Sequence, residues 1–248
     1  MESYAANATG LQDAWKKLAF APNLYKEGES WSYVFACCSL FPLIFATVLF
    51  SNTFFRRDMH SICFCFAYLA NFGINQGLKL LLRQPRPADA MFHDSGIADD
   101  YGMPSDHAQQ SAFFAVYMAY FLLIRIRKGD RGRSCMNSTL WWRLPYSILC
   151  FLIGGTVTFA RIASSDHTLA QVFVGNAVGA LNALLLAALV EYVLTPQFPK
   201  IQQWRLCKFF LIRDTSKIPN IMQFEYNCAT EETRMLIGQM NLASINYT

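Results

Sequence analysis

The sequence predicts an all-α integral membrane protein, about five transmembrane helices in one bundle with the functional groups gathered at one membrane face. Three observations predict it. Hydrophobic residues make up 54% of the 248 residues and charged residues only 15%, against about 25% charged in an ordinary soluble domain. Apolar runs of roughly the ~20 residues that a bilayer span requires recur along the chain, separated by short polar connections. The ionisable residues cluster at the ends of those runs instead of spreading over helix faces.

The elements follow in order. The N-terminus, Met1 to Pro22, is polar, with Glu2, Asp13, Lys16 and Lys17. It holds no long apolar stretch ending in a small-residue cleavage site, so no cleavable signal peptide is expected. The apolar runs are Tyr33 to Phe50, Ser61 to Leu82, Ala108 to Ile126, Leu144 to Ala163 and Thr168 to Leu194. The second carries Asn71, Asn75 and Gln76, amides that are costly in lipid unless they face neighbouring helices. The fifth is long enough to tilt. Residues 195–248 form a tail, amphipathic where Trp204, Phe209, Phe210 and Leu211 stand beside Arg205, Lys208 and Arg213, which suits a membrane-surface segment. The expected organisation is an N-terminal segment 1–30, a transmembrane domain 31–194 and a C-terminal tail 195–248.

Loop charges set the orientation. The connection from Arg125 to Arg143 carries Arg125, Arg127, Lys128, Arg131, Arg133 and Arg143 against Asp130 and reads as cytoplasmic, as does the turn at Arg56 and Arg57. With alternating spans, the N-terminus, the loop Arg83 to Asp106 and the turn Ser164 to His167 lie on the opposite side, and the tail returns to the cytoplasm. The sequon at Asn7 is then open to glycosylation, and those at Asn137 and Asn246 are not.

The net charge of +4 is too mild for a nucleic-acid partner, and no basic face carries interleaved aromatics. Disordered, collagen-like and acidic solvating classes are excluded by composition. The eight cysteines lie mostly inside apolar runs and lack metal-site spacing. Cys135, Cys207 and Cys228 fall outside the runs and are open to oxidation or acylation.

Three clusters carry chemistry. In the first, Lys79 and Arg86 are seven residues apart, and Pro85 and Pro87 end the helix so that the chain can curl and bring both cations to one anion. The second is Tyr101-Gly-Met-Pro104-Ser105-Asp106-His107. Ser105 follows a proline and opens an apolar helix, whose free N–H groups and positive dipole end suit an anion, and His107 lies in the first turn. The third is Arg161-Ile-Ala-Ser-Ser-Asp166-His167. Gln171, one turn after His167, is placed to hydrogen-bond the imidazole and fix its tautomer. Each cluster alone also fits interfacial cations, a capping serine or an incidental histidine. Together, on one membrane face, they describe a phosphate site.

Lys-x6-Arg-Pro, Pro-Ser-x-His and Arg-x5-His together resemble the type 2 phosphatidic acid phosphatase superfamily. Tyr101-Gly-Met-Pro-Ser-x-His, His167-Thr-x-x-Gln-Val, Leu194-Thr-Pro-Gln-Phe-Pro199, Phe209-Phe-Leu-Ile-Arg-Asp-Thr-Ser216, Ile218-Pro-Asn220 and Phe224-Glu-Tyr226 narrow the resemblance to the eukaryotic dolichyldiphosphatases, over roughly Phe55 to Tyr226.

The resemblance implies a multi-pass endoplasmic reticulum protein that cleaves dolichyl diphosphate to dolichyl phosphate and inorganic phosphate on the lumenal side, recycling the lipid carrier of protein N-glycosylation. It implies His167 as nucleophile, His107 as general acid and base, and Lys79, Arg86, Arg161 and Ser105 on the phosphate, with Pro104, Asp106 and Gln171 in support. No metal or other cofactor is expected, because cations occupy the places a metal would serve. Asp106 stands where those relatives usually have Ser, Ala160 precedes Arg161 where Ser is usual, and Gln171 stands where the wider superfamily has Asp. Action on another lipid phosphate or a sugar phosphate, and a non-catalytic membrane scaffold, are the competing readings. Polyprenyl chain length and oligomeric state are not legible.

Overall fold

The computed structural model describes residues 15–17, 24–26, 30–87, 101–125, 136–218 and 221–245. Its body is helical. The strands named among the described residues form one antiparallel pair, β1 (Trp15–Lys17) with β2 (Leu24–Lys26). The helices are α1 (Ser30–Cys38), α2 (Phe41–Arg56), α3 (Met59–Leu82), α4 (Asp106–Tyr120), α5 (Met136–Ala163), α6 (Leu169–Leu189), α7 (Phe198–Ile201), α8 (Arg205–Phe209) and α9 (Ile221–Ile245). A π turn, Phe121–Arg125, extends α4, and Val190–Leu194 extends α6 in the same way.

Among the described residues, three helical stretches are long and apolar enough to cross a membrane: Ser30–Arg56, Trp141–Ala163 and Leu169–Ile201. By length and composition these are three of the five spans expected. α3 and α4 are not among them, and both carry polar groups on the faces they turn to their neighbours. Asn71, Asn75, Gln109, Gln110 and Ser111 are all buried. Asn71 Nδ2 donates to Gln110 Oε1 at 3.0 Å, Asn75 Nδ2 to Gln109 Oε1 at 2.9 Å, and Gln109 Nε2 to Asn71 Oδ1 at 3.0 Å. Asn182 of α6 donates to the same Asn71 oxygen at 2.9 Å. Outward-facing side chains such as Leu43, Val48, Leu152, Phe159, Phe173 and Leu185 are exposed. Apolar outside and amide-linked inside is the packing expected of a bundle solvated by lipid. An apolar flank of this extent in water would be an aggregation surface.

Close approach of α4 and α6 sets the frame. A Cβ on Gly175 would lie 2.7 Å from the Ser105 carbonyl oxygen, and one on Gly179 2.2 Å from that of Gln109. Only hydrogen fits there, so the two glycines, four apart on one face of α6, let the backbones touch.

Other boundaries shift from expectation. Arg143, counted among loop cations, lies within α5, is buried, and stands over the Trp142 ring at 5.5 Å. The helical path of α6 continues through Thr195–Gln197 into α7, so residue 195 is not a backbone break. Cys207 is buried against Met59 and Phe198, whereas Cys228 is exposed. Cys135, Asn7, Asn246 and the loop cations from Arg127 to Arg133 lie outside the described residues.

Candidate active site

The first cluster begins at the last turn of α3. Asn71, Asn75 and Lys79 recur every fourth residue and all point inward, and Lys79 is 1% exposed. The helix stops at Leu82, three residues before Pro85. Arg83 adopts a left-handed conformation (φ 47°), and its N–H closes on the Lys79 carbonyl at 2.9 Å. The chain then reverses and pairs with the second cluster through an antiparallel bridge between Pro85 and Tyr101 and a 2.8 Å bond from the Gly102 N–H to the Gln84 carbonyl.

Ser105 is the N-cap of α4, as its position predicts, but its side chain makes no capping bond. The N-caps of α3 and α6 behave differently. Asp58 accepts from the backbone of His60 and Ser61, and Thr168 accepts from Gln171 N in a reciprocal capping box. Ser105 Oγ is fully buried without a hydrogen-bond partner among the described residues. Asp106 and His107 follow as the first two residues of α4, partly buried. An acidic residue in the first turn is favourable to the helix dipole.

Arg161 lies in the last turn of α5, 1% exposed, and forms a 3.3 Å ion pair with Asp166 Oδ2. The turn between them is closed by Ser165 at φ 57° and by the Asp166 N–H on the Arg161 carbonyl at 3.2 Å. Ser39, between α1 and α2, accepts from Arg161 Nη1 at 3.5 Å. Asp166 and Ser39 were not read as site residues from the sequence. The only signal was that Asp166 directly precedes His167.

Gln171 joins all three clusters. Its Nε2 donates to the Pro85 carbonyl at 2.9 Å, and its backbone carbonyl accepts from Ser105 N at 3.1 Å. Its Oε1 accepts from Thr168 N at 3.1 Å and lies 3.3 Å from His167 Nδ1. Donation to Pro85 fixes which end of the amide is nitrogen. An oxygen therefore faces Nδ1, so Nδ1 carries the proton and Nε2 keeps its lone pair. Nε2 stands 3.4 Å from Arg86 Nη1. Gly102 is required beside this amide, because a Cβ there would lie 2.6 Å from Gln171 Nε2. Asn75 closes the set by donating to the Pro104 carbonyl at 3.3 Å. The structure thus brings Lys79, Arg86, Pro104, Ser105, Arg161, His167 and Gln171 to one end of the bundle. His107 is placed there by its position in the first turn of α4.

A buried imidazole nitrogen beside a guanidinium, at the end of the bundle that also holds Lys79, Arg161 and the Ser105 hydroxyl, is chemistry suited to an oxyanion. Comparison with known proteins agrees. Residues 60–194 match the PAP2 superfamily, and the chain belongs to that family. It is accordingly a membrane hydrolase of the phosphatase class. Curated relatives include Dolichyldiphosphatase 1 of Mus musculus and of Homo sapiens, each 33% identical over 90% of this chain and 92% of its own length. Lipid phosphate phosphatase gamma of Arabidopsis thaliana is 31% identical over 83% of this chain and 87% of its own. No solved structure matches the chain.

Proposed function

We propose that this protein hydrolyses dolichyl diphosphate to dolichyl phosphate and inorganic phosphate at the lumenal face of the endoplasmic reticulum, returning the carrier to protein N-glycosylation. The substrate rests on the dolichyldiphosphatase relatives and on the motifs by which the sequence resembles that family. The chemistry rests on one observation: Gln171 holds His167 with Nε2 unprotonated and facing Arg86.

His167 Nε2 attacks the terminal phosphorus. The N–P bond forms as the bond to the bridging oxygen breaks, and the electron pair leaves with the lipid phosphate. His107 supplies a proton to that oxygen. Lys79, Arg86 and Arg161 hold the nonbridging oxygens, and Ser105 Oγ supplies a further donor. Most of the rate gain comes from this preplaced charge. Water then attacks the phosphohistidine, His107 takes its proton, phosphate leaves and His167 returns to its starting tautomer. Gln171 orients the ring but carries no charge, and a diphosphate, whose leaving group is itself a phosphate, needs less acid assistance than a monoester. No step calls on a metal or cofactor, so activity in excess EDTA is expected to stay at its full value.

Ser30–Arg56, α3, α4, α5 and α6 cross the membrane in this reading, α3 and α4 with their amides turned to each other.

The test is phosphate release by the purified chain in vesicles from dolichyl diphosphate, phosphatidate and glucose 6-phosphate side by side. Preference for the diphosphate is expected, and preference for phosphatidate would favour the reading suggested by the Arabidopsis relative. Inactivity on all three would leave the non-catalytic scaffold.

A further inference from the structure

At the end of the bundle away from His167, two cavities share a wall. One, of about 500 Å³, is an apolar groove between α2, α3 and α4, lined by Phe45, Val48, Phe64, Phe114, Tyr117 and Met118 among others. The other, of about 580 Å³, is polar, with Arg125, Glu191, Thr195, Thr215, Ser216 and Lys217 in its walls. Asp58, His60 and Phe121 line both. Both volumes fall in the range of small-molecule sites. Neither belongs to the catalytic cluster: His60 and Lys79 are at opposite ends of α3, about 28 Å apart at the helical rise, close to the thickness of a hydrocarbon core.

The depth of the polar cavity is marked by α8 and the turn after it, where Trp204, Phe209 and Phe210 are exposed beside Arg205 and Lys208. Exposed aromatics interleaved with cations belong at headgroup level. The apolar groove opens on the lipid-facing flank, where Ile44 and Val48 are exposed. At the junction His60 is 8% exposed and its Nε2 has no hydrogen-bond partner among the described residues. A buried polar atom without a partner points to a missing one.

The charges indicate what kind. Asp58 is already engaged by the His60 and Ser61 N–H groups and by the Thr215 hydroxyl, and Arg125 pairs with Glu191 at 3.0 Å. Among the described lining residues, the cations Arg125 and Lys217 balance the carboxylates Asp58 and Glu191. A headgroup carrying both signs and no net charge fits this lining, whereas a net anion would meet two carboxylates.

We propose that this slot binds one zwitterionic glycerophospholipid of the leaflet opposite the active site. The acyl chain lies in the α2–α4 groove, an ester carbonyl meets His60 Nε2, and the phosphate meets Lys217 and Ser216. The amine lies on the Glu191 side. The tail motif Arg213-Asp-Thr-Ser216 thereby builds a site that phosphate chemistry at the other end does not use.

The full chain in nanodiscs is photolabelled with a phosphatidylcholine bearing a diazirine in its acyl chain, and labelled peptides are mapped. Label is expected on Val48 and on Phe114 to Phe121, displaced by unlabelled dioleoylphosphatidylcholine and not by dioleoylphosphatidylglycerol. Lys217→Glu is expected to lower this labelling about tenfold, the loss of one charge-assisted hydrogen bond. Val48→Trp, which fills the groove, is expected to remove it. Label spread evenly over the lipid-facing flanks, or displaced equally by both lipids, would mean bulk annular lipid and overturn the proposal. Stronger displacement by a polyprenyl phosphate would overturn the zwitterion. The competition arms need no variant, so a folding failure does not blunt them.

Discussion

The two ends of the bundle hold similar groups used in different ways. Each has a buried or half-buried ion pair, Arg161 with Asp166 at one end and Arg125 with Glu191 at the other. Each has a helix capped by a short polar residue. At the tail end the cap and the ion pair are engaged within the fold, and His60 Nε2 is the group without a hydrogen-bond partner among the described residues. Asp58 caps α3 and accepts from Thr215, Arg213 pairs through its backbone with Arg57 and Met59, and Glu225 takes both Arg56 and Arg213. At the other end Ser105 caps nothing with its side chain, and His167 Nε2 is left facing a cation. A site differs from a structural cluster in the bonds its best groups do not make.

The comparison can be broken at several points. His167→Ala should reduce phosphate release to background, with the bundle still folded by circular dichroism; activity near that of the unaltered protein would remove His167 as nucleophile. Arg161→Ala should cost roughly 10²–10³-fold in kcat, the range for one preplaced oxyanion partner. It should also lower stability, because buried Asp166 loses this ion pair. Asp166→Asn separates the two effects, since it keeps the cation while removing the charge that holds it.

Gln171→Leu should lower kcat by roughly ten- to a hundredfold, within what orienting a catalytic base is worth. It should also alter the pH profile, because the imidazole tautomer is no longer fixed. Gln171→Glu should recover most of the rate. If both variants behaved alike, the side chain would matter only for joining Pro85 to α6.

Gly175→Ala would drive a methyl into the Ser105 carbonyl, and the two helices should part at a cost of about 1–3 kcal/mol. Activity and thermal stability should fall together. At the opposite end the effects should be small. Asp58→Ala should cost about 1 kcal/mol, the worth of an N-cap. Arg213→Ala, whose pair with Glu225 is half exposed, should change stability by no more than about 1 kcal/mol and leave kcat unchanged.

The lipid-facing helices were legible because an uninterrupted apolar run has few other solutions. The inner helices were less so. α3 and α4 bury amides on the side that meets their neighbours, which breaks the apolar run that marks a span. Lys79, Arg86, Ser105, Arg161 and His167 were legible as chemistry because cations and histidines are rare in such a chain. Their supports were not. Asn75 read only as a costly amide, Ser39 lay unremarked within the first apolar run, and Asp166 read as a neighbour of a histidine. The docking of Thr215 on Asp58 joins residues 157 apart, and local spacing carries no information about it.

By itself the sequence determined that the chain would be helical, apolar on its outside, and furnished with a small set of ionisable groups at span ends. Those are properties of composition and of spacing within one element. Tertiary structure alone decided that Arg86 meets His167 across 81 residues, that Gln171 faces Nδ1 with its oxygen, and that Ser105 keeps its hydroxyl free. A hydrogen bond demands positions correct to a few tenths of an ångström. Packing of Gly175 and Gly179 against α4, not any local pattern, supplies that precision.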